Sequence, residues 1–359
     1  MYHCTQKIML SLKFEKHILY TLLLSLVYAI IINIYPIPIN YDISRFIKFY
    51  HIFQESSVSE YFKIFTKSLD FLAQLILLIL AKLNLSIHIF FFTTAFLSSF
   101  NFLHTFQYYY RKHHSKPPVF WMYLIVWMSI SVPGILSGIR NIHALSFVAL
   151  AFVFLDQKRN IPFWTCLLYA AFFHYSVYII IIAYLIFQSK YFTIQQYKIF
   201  AILGAFVFLF IFFIPSHLLQ TLLPENIFKK IEYYILHNSL LKEHLNNYNW
   251  KGLIYFILHK TLIPYLYIIL YFYHFKIKIL STETLCLMFS CLLFIFFPNT
   301  LSRYWNLLYI YSIIKILITY QPIPKYRYFI GFHILYFISQ CLLLSKYIYH
   351  AVQTKAIVI

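Results

Sequence analysis

The strongest constraint on this chain is its series of long apolar runs, which are separated by short clusters of basic residues. The first run, residues 18–34, contains no charged side chain. Hydrophobic residues make up 62% of the chain and charged residues only 11%, whereas a soluble domain carries roughly 25% charged residues. Too few polar groups exist to cover a water-soluble surface, and too much apolar surface exists for a disordered chain. The sequence therefore predicts a membrane protein.

The lengths of the runs predict an all-α, polytopic architecture with about 9 to 11 membrane segments. Their continuity argues against an outer-membrane barrel, whose strands alternate in polarity. The later runs cover residues 87–106, 119–137, 142–155, 163–187, 197–214, 253–273, 284–297, 305–320 and 329–347. Residues 1–359 are predicted to form a single integral membrane domain. The charged stretch at residues 215–251 is predicted to be an external loop with short interfacial helices.

Basic clusters set the predicted orientation, because lysine and arginine concentrate in cytoplasmic loops. The lysines before the first run place the N-terminus in the cytoplasm, and the clusters at residues 111–116 and 156–159 face the same side. The segment after the first run is then outside, and an odd number of crossings must separate it from the cytoplasmic cluster at residues 111–116. A full crossing by the short run Phe71–Lys82 would make that number even, so this run is predicted to be an interfacial or re-entrant helix. The run at residues 163–187 is either one tilted span or a re-entrant pair that turns near His174. We favour the re-entrant form, which requires a wet cavity.

Charge, glycine content and cysteine content exclude several kinds of site. Lysine and arginine total 29 against 10 acids, for a net charge of +19. In a membrane chain such an excess faces anionic lipid, or binds an anionic substrate, rather than nucleic acid. The 5 glycines form no phosphate-binding loop, so no nucleotide cofactor is expected. The 5 cysteines form no Cys-x-x-Cys pair, so neither a disulfide framework nor a metal site is expected.

Ionisable side chains inside or beside the apolar runs are the candidate functional residues, because they are costly there. Arg140 lies between two runs and either binds phosphate or carboxylate through its planar fork or snorkels to a headgroup. His174 is either a hydrogen-bonded core residue or a general base. Asp42 and Arg45 follow the first run and Arg303 opens a later one. Each of these three residues is either an interfacial residue or a site residue.

The candidates stand in a spaced pattern. Its centre is Ser-Gly-Ile-Arg-Asn-Ile-His-Ala at residues 137–144, an apolar helix, Gln-Lys-Arg at 157–159 and Phe-Phe-His-Tyr-Ser at 172–176. Tyr-Asp at residues 41–42 and Ser-Arg-Tyr at 302–304 extend it. This pattern resembles the EpsG family of Wzy-like polymerases of bacterial surface polysaccharide, over roughly residues 18–320.

Two positions depart from the family pattern. Asn141 stands where the family usually has glutamine, and Asn40 with Tyr41 replaces the usual Gly-Thr before the aspartate. Divergence of this kind leaves open whether the activity or only its specificity differs.

The resemblance implies a GT-C-like architecture and an enzyme without a cofactor in the bacterial cytoplasmic membrane. Such polymerases transfer a glycan from polyprenyl pyrophosphate to another lipid-linked repeat unit at the outer face, building exopolysaccharide, capsule or O-antigen. The implied partners are that lipid-linked glycan, membrane lipid, a flippase and a chain-length regulator. The implied site comprises the pyrophosphate ligands Arg140, Arg303 and Arg45, the positioning residues Asn141 and Tyr304, and the catalytic residues His174 and Asp42.

Three other functions share these features. A flippase for lipid-linked glycans would line a path with charges in both halves of the membrane, whereas the candidates here gather at the outer side. A polysaccharide O-acetyltransferase would need its histidine and arginine accessible from the cytoplasm. A ligase that moves finished glycan to a lipid core has the same sequence features as a polymerase.

Overall fold

A computed structural model describes residues 2–34, 37–38, 42–57, 70–130, 132–188, 298–318 and 357–358, together with isolated positions between these ranges. The described elements are helices apart from one short strand pair, as the apolar runs predict. The helices are α1 (Tyr2–Ile34), α2 (Asp42–Glu55), α3 (Phe71–Lys82), α4 (His88–His113), α5 (Phe120–Ser129), α6 (Val132–Asp156), α7 (Asn160–Phe173), α8 (Val177–Gln188) and α9 (Pro298–Ile318). The strands β1 (Ile37–Pro38) and β2 (Ile357–Val358) are antiparallel.

Three of the described helices are long and apolar enough to cross a membrane. They are Lys16–Ile34, the apolar part of α1, His88–His113, which is α4, and Gly138–Asp156, the larger part of α6. Shorter apolar helices, 10 to 17 residues long, accompany them, among them α3, α5 and α7. These findings confirm the all-helical class and agree with a membrane protein. The total of 9 to 11 segments, estimated from run lengths, stays a prediction.

Several predicted features lie outside the described residues, apart from isolated positions. They are the apolar runs at 197–214, 253–273, 284–297 and 329–347 and the external loop at 215–251.

The predicted run at residues 119–137 is wrong as a single element. It divides into α5, which ends at Ser129, and the start of α6 at Val132. Pro133 explains the break, because proline lacks the N–H that a continuous helix would use and fits the first turn of a new one. Gly138 then interrupts α6 with φ −158° and ψ 54°, and we attribute the kink to this residue.

Two short helical features match their predictions. The helix α3 has the same bounds as the predicted short apolar run, Phe71–Lys82. The apolar run at 163–187 is broken between α7 and α8, at residues 174–176, where a turn was predicted. The re-entrant course of either segment stays a prediction.

The described helices before α8 pack around α4 and α6. The helix α6 contacts α2, α4 and α7, while α4 also contacts α1 and α5. Fully buried alanines such as Ala144, Ala149 and Ala151 on α6 and Ala170 on α7 line these contacts. Small side chains allow helix backbones to approach closely, which is how helices associate in a membrane.

The chain divides into two compact units. The first comprises residues 1–66, 70–177 and 313–359, and the second residues 67–69 and 178–312. The packing around α4 and α6 belongs to the first unit. In the second, Tyr184 on α8 and Tyr304 on α9 are buried. The single membrane domain stays a prediction.

Candidate functional site

A buried ion pair joins α6 to the residue that precedes α3. The Nη1 of Arg140 donates to Oδ2 of Asp70 at 2.5 Å. The side chain of Asp70 is 2% exposed and that of Arg140 15%, so water screens the pair poorly. Asp70 occupies the N-cap position of α3 but makes no side-chain capping bond there. Its carboxylate is therefore committed to a distant part of the chain rather than to its own helix.

A third element, α2, also contacts the guanidinium. The guanidinium carbon of Arg140 lies 4.9 Å from the centre of the Phe46 ring on α2. Phe46 itself is buried. A cation over an aromatic face is worth up to about 2 kcal/mol when water is excluded. Arg140 is thus held in place by both a carboxylate and a ring.

The break between α7 and α8 lies against the same ion pair. The backbone N–H of Tyr175 donates to Oδ1 of Asp70 at 3.2 Å. The hydroxyl of Ser176 donates to Oδ1 of Asn141 at 3.1 Å. Asp70 therefore bridges Arg140 to the break, and Asn141, the next residue on α6, holds the break through Ser176.

His174 is the first residue of the break and is nearly fully buried. Its backbone is extended, with φ −152° and ψ 122°, and its N–H still donates to the carbonyl of Ala170 at 2.9 Å. The backbone N–H of Ser176 donates to Nδ1 of His174 at 3.1 Å. The imidazole stacks on Tyr175 with a ring-centre separation of 4.7 Å. The ring is thus oriented by the chain segment that carries it.

The structure brings three of the seven predicted site residues into one group, namely Arg140, Asn141 and His174. Arg45 is exposed on α2. Asp42 is the first residue of α2 and Arg303 lies on α9, with side chains outside the described part of the chain. Tyr304 is buried on α9 and belongs to the second unit. The site roles of all seven residues stay predictions.

Sequence reasoning missed Asp70, Phe46 and Ser176. Asp70 directly precedes an apolar helix, where an aspartate is read as an ordinary N-cap. Its one usable signal is the scarcity of acids, since only 10 occur in the chain and this one adjoins an apolar run. Ser176 lies in the Phe-Phe-His-Tyr-Ser segment at residues 172–176, but the sequence pattern predicted no site role for it.

A second buried histidine stands one turn beyond Arg140. Nδ1 of His143 lies 3.1 Å from the carbonyl oxygen of Thr94, and its Nε2 lies 3.1 Å from the hydroxyl of Tyr169. A carbonyl oxygen only accepts, so the neutral ring carries its proton on Nδ1, and the Tyr169 hydroxyl donates to Nε2. His143 joins α4, α6 and α7. We assign it a structural role, because both ring nitrogens serve the helix packing.

Arg140 is the residue of the group that could bind an anionic ligand, although Asp70 already balances its charge. A guanidinium presents five N–H donors in a planar fork that matches phosphate or carboxylate. The cation is held rigidly before a ligand arrives, so less ordering entropy is lost on binding. In the described part of the chain, no group of three or more His, Cys, Asp or Glu side chains is placed to hold a metal ion.

Arg140, Asn141, Asp70, Phe46 and the helix break at residues 174–176 form one group. Four separate segments contribute, so the group depends on tertiary structure rather than on one local motif. In comparisons with known proteins, no family model, no curated protein and no solved structure matches the chain.

Proposed function

We propose that the protein polymerises polyprenyl-pyrophosphate-linked oligosaccharide repeat units into a surface polysaccharide. It does so as a GT-C-like, multi-pass enzyme at the outer face of the bacterial cytoplasmic membrane. The observation that carries the proposal is the buried Arg140–Asp70 pair against the helix break at His174. Buried ionic groups in a membrane protein are expensive and mark substrate sites. The resemblance of the surrounding residues to Wzy-like polymerases supplies the substrate class.

The proposed reaction is a glycosyl transfer. A hydroxyl oxygen of the acceptor glycan bonds to the anomeric carbon of the donor, and the bond from that carbon to the pyrophosphate oxygen breaks. The hydroxyl proton passes to a base, and polyprenyl pyrophosphate leaves with the bonding electrons. The glycosyl-pyrophosphate bond supplies the energy, so no nucleotide is consumed.

Arg140 is the residue best suited to the leaving group. Negative charge grows on the pyrophosphate as the bond breaks, and a fixed cation in a poorly solvated site stabilises it most. Asp70 and Phe46 fix the guanidinium before the substrate arrives. The proposal gives Asn141 a positioning role, since its side chain already holds the break through Ser176.

The remaining proposed roles follow the resemblance. Arg303 and Arg45 bind the pyrophosphate, Tyr304 positions the glycan, and Asp42 or His174 accepts the proton. Asp70 adds a carboxylate next to Arg140 that can also accept it.

Deletion of the gene in its host tests the proposal. We expect surface polysaccharide to be lost and single repeat units to accumulate on polyprenyl pyrophosphate, in the outer leaflet. A membrane-impermeant sugar oxidant on intact cells reports the leaflet, and mass spectrometry of extracted lipids reports the repeat number. Accumulation in the inner leaflet would identify a flippase instead. Full-length polymer that lacks acetyl groups would identify an acetyltransferase, and either result contradicts the proposal.

A further inference from the structure

The apolar helix α3 carries one polar side chain, Gln74, ahead of Lys82 at its C-terminal end. Gln74 lies on the buried face of the helix, which it shares with Leu77, Leu78 and Ala81 at helical spacing. Only 6% of the residue is exposed. An apolar side chain would fill this position equally well, so packing alone does not account for an amide here.

The amide of Gln74 is not used to hold the described helices together. Its Oε1 is buried and accepts no hydrogen bond from any residue that the structure describes. A buried acceptor without a hydrogen bond is destabilising, and native proteins keep few such groups. A group of this kind suits a ligand that brings the hydrogen-bond donor with it.

Helical spacing places Gln74 beside the buried ion pair. Asp70 precedes it by one helical turn, and side chains four residues apart lie on the same face with their Cβ atoms about 6 Å apart. Both residues are buried. Asp70 bonds to Arg140 and to the backbone N–H of Tyr175. The amide therefore lies within one helical turn of the carboxylate that holds the guanidinium.

The chemistry of the amide indicates the kind of group that it binds. An ionised phosphate only accepts hydrogen bonds, so it cannot satisfy the Oε1 of Gln74, whereas a hydroxyl both donates and accepts. The amide is neutral, and Asp70 already balances the charge of Arg140. A neutral, hydroxyl-bearing group next to the ion pair is the ligand that fits.

We infer that Gln74 binds a hydroxyl group of the glycan, on the sugar that adjoins the pyrophosphate. The inference rests on the proposed function for the glycan and on the structure for the buried amide. The sugar hydroxyl donates to Oε1 of Gln74 while the pyrophosphate of the same substrate lies against Arg140. One helical turn, about 5.4 Å, separates the two positions along α3 and matches one sugar ring. Gln74 thus recognises the sugar and not the leaving group.

Gln74→Met is the substitution that tests this role. Methionine has nearly the length and volume of glutamine and suits both a helix and a core, but it has no amide. Because it removes a buried acceptor that bonds to no described residue, we expect the free energy of unfolding in mixed micelles to equal or exceed that of the unsubstituted protein.

Gln107→Met on α4 is the matched control. Gln107 is as buried as Gln74, with 6% exposed. It lies about 20 Å along α4 from Thr94, the residue whose carbonyl contacts His143. The same change of side chain is thus made at equal burial, away from Arg140.

The experiment measures two dissociation constants for the full-length protein in detergent. One ligand is the lipid-linked single repeat unit, extracted from host cells that lack the gene. The other is farnesyl pyrophosphate, a short polyprenyl pyrophosphate without a glycan. We expect Gln74→Met to raise the Kd of the repeat unit about tenfold, the loss of one neutral hydrogen bond, and to leave the Kd of farnesyl pyrophosphate unchanged. Gln107→Met should change neither.

The other outcomes overturn the inference in different ways. An unchanged Kd for the repeat unit would show that the amide does not contact the glycan. An equal rise for both ligands would place Gln74 at the pyrophosphate instead. A fall in the free energy of unfolding would show that the amide is bonded within the folded chain. If the unsubstituted protein does not bind the repeat unit, the proposed function is contradicted and the inference falls with it.

Discussion

Replacing Asp70 with asparagine is expected to lower the free energy of unfolding by about 3 to 5 kcal/mol, the usual cost of removing one partner from a buried ion pair. The asparagine side chain keeps nearly the same shape and can still accept from the amide of Tyr175. It leaves the guanidinium of Arg140 without its counter-charge in a place where water reaches it poorly. Denaturant titration of the purified protein in mixed micelles measures the change.

Asp156→Asn is the matched control. Asp156 also pairs with a cation, since Nζ of Lys112 lies 2.6 Å from its Oδ1, but the Lys112 side chain is 46% exposed. Exposed pairs contribute only about 0.2 to 1 kcal/mol. If Asp70→Asn lowers the free energy of unfolding no more than Asp156→Asn does, the result contradicts a buried ion pair between Asp70 and Arg140.

A double substitution tests the coupling between the two partners. Asp70→Asn combined with Arg140→Gln replaces the ion pair with two amides that can bond to each other. We expect it to recover most of the stability that the single substitution loses, because no charge is left buried alone. Strictly additive losses would show that Asp70 and Arg140 do not interact.

Replacing Arg140 with lysine is expected to lower polymer synthesis by about a hundredfold or more, the typical cost of removing one preorganised donor to a developing anion. Lysine keeps the positive charge and a partner for Asp70, so the amount of folded protein should stay close to normal. It loses the planar fork and the stacking on Phe46. Quantified surface polysaccharide, normalised to protein in the membrane, measures the effect.

Arg159→Lys is the control for this substitution. The guanidinium of Arg159 also lies over a phenylalanine, 5.4 Å from the Phe154 ring centre, but in the turn before α7. We expect it to leave the polymer unchanged. Normal chain length in the Arg140→Lys variant would remove Arg140 from the mechanism.

The features that depend on length and charge were predictable from the sequence. The apolar run at Phe71–Lys82 has the bounds of the observed helix α3. The length and charge arguments for a helix that does not cross the membrane stay predictions. The basic residues at both ends of the run at 163–187 allowed one tilted span or a turn near His174, and the break at residues 174–176 agrees with the turn. The division of residues 119–137 has a sequence signal in Pro133, since proline favours the first turn of a new helix.

The contacts that build the site were not predictable, because they join residues far apart in the chain. Asp70 and Arg140 are 70 positions apart, and nothing local distinguishes Asp70 from a helix cap. The orientation of the His174 ring depends on the turn geometry that brings the Ser176 amide to Nδ1. Residue type alone cannot separate this histidine from His143, whose Nδ1 lies beside the Thr94 carbonyl oxygen.

Reconstitution tests the central claim most directly. The full-length protein is placed in liposomes with lipid-linked single repeat units extracted from host cells that lack the gene, and no nucleotide is added. The account predicts a ladder of longer lipid-linked glycans, with one polyprenyl pyrophosphate released for each repeat joined. Repeat units that stay single, whether or not they change leaflet, would contradict it.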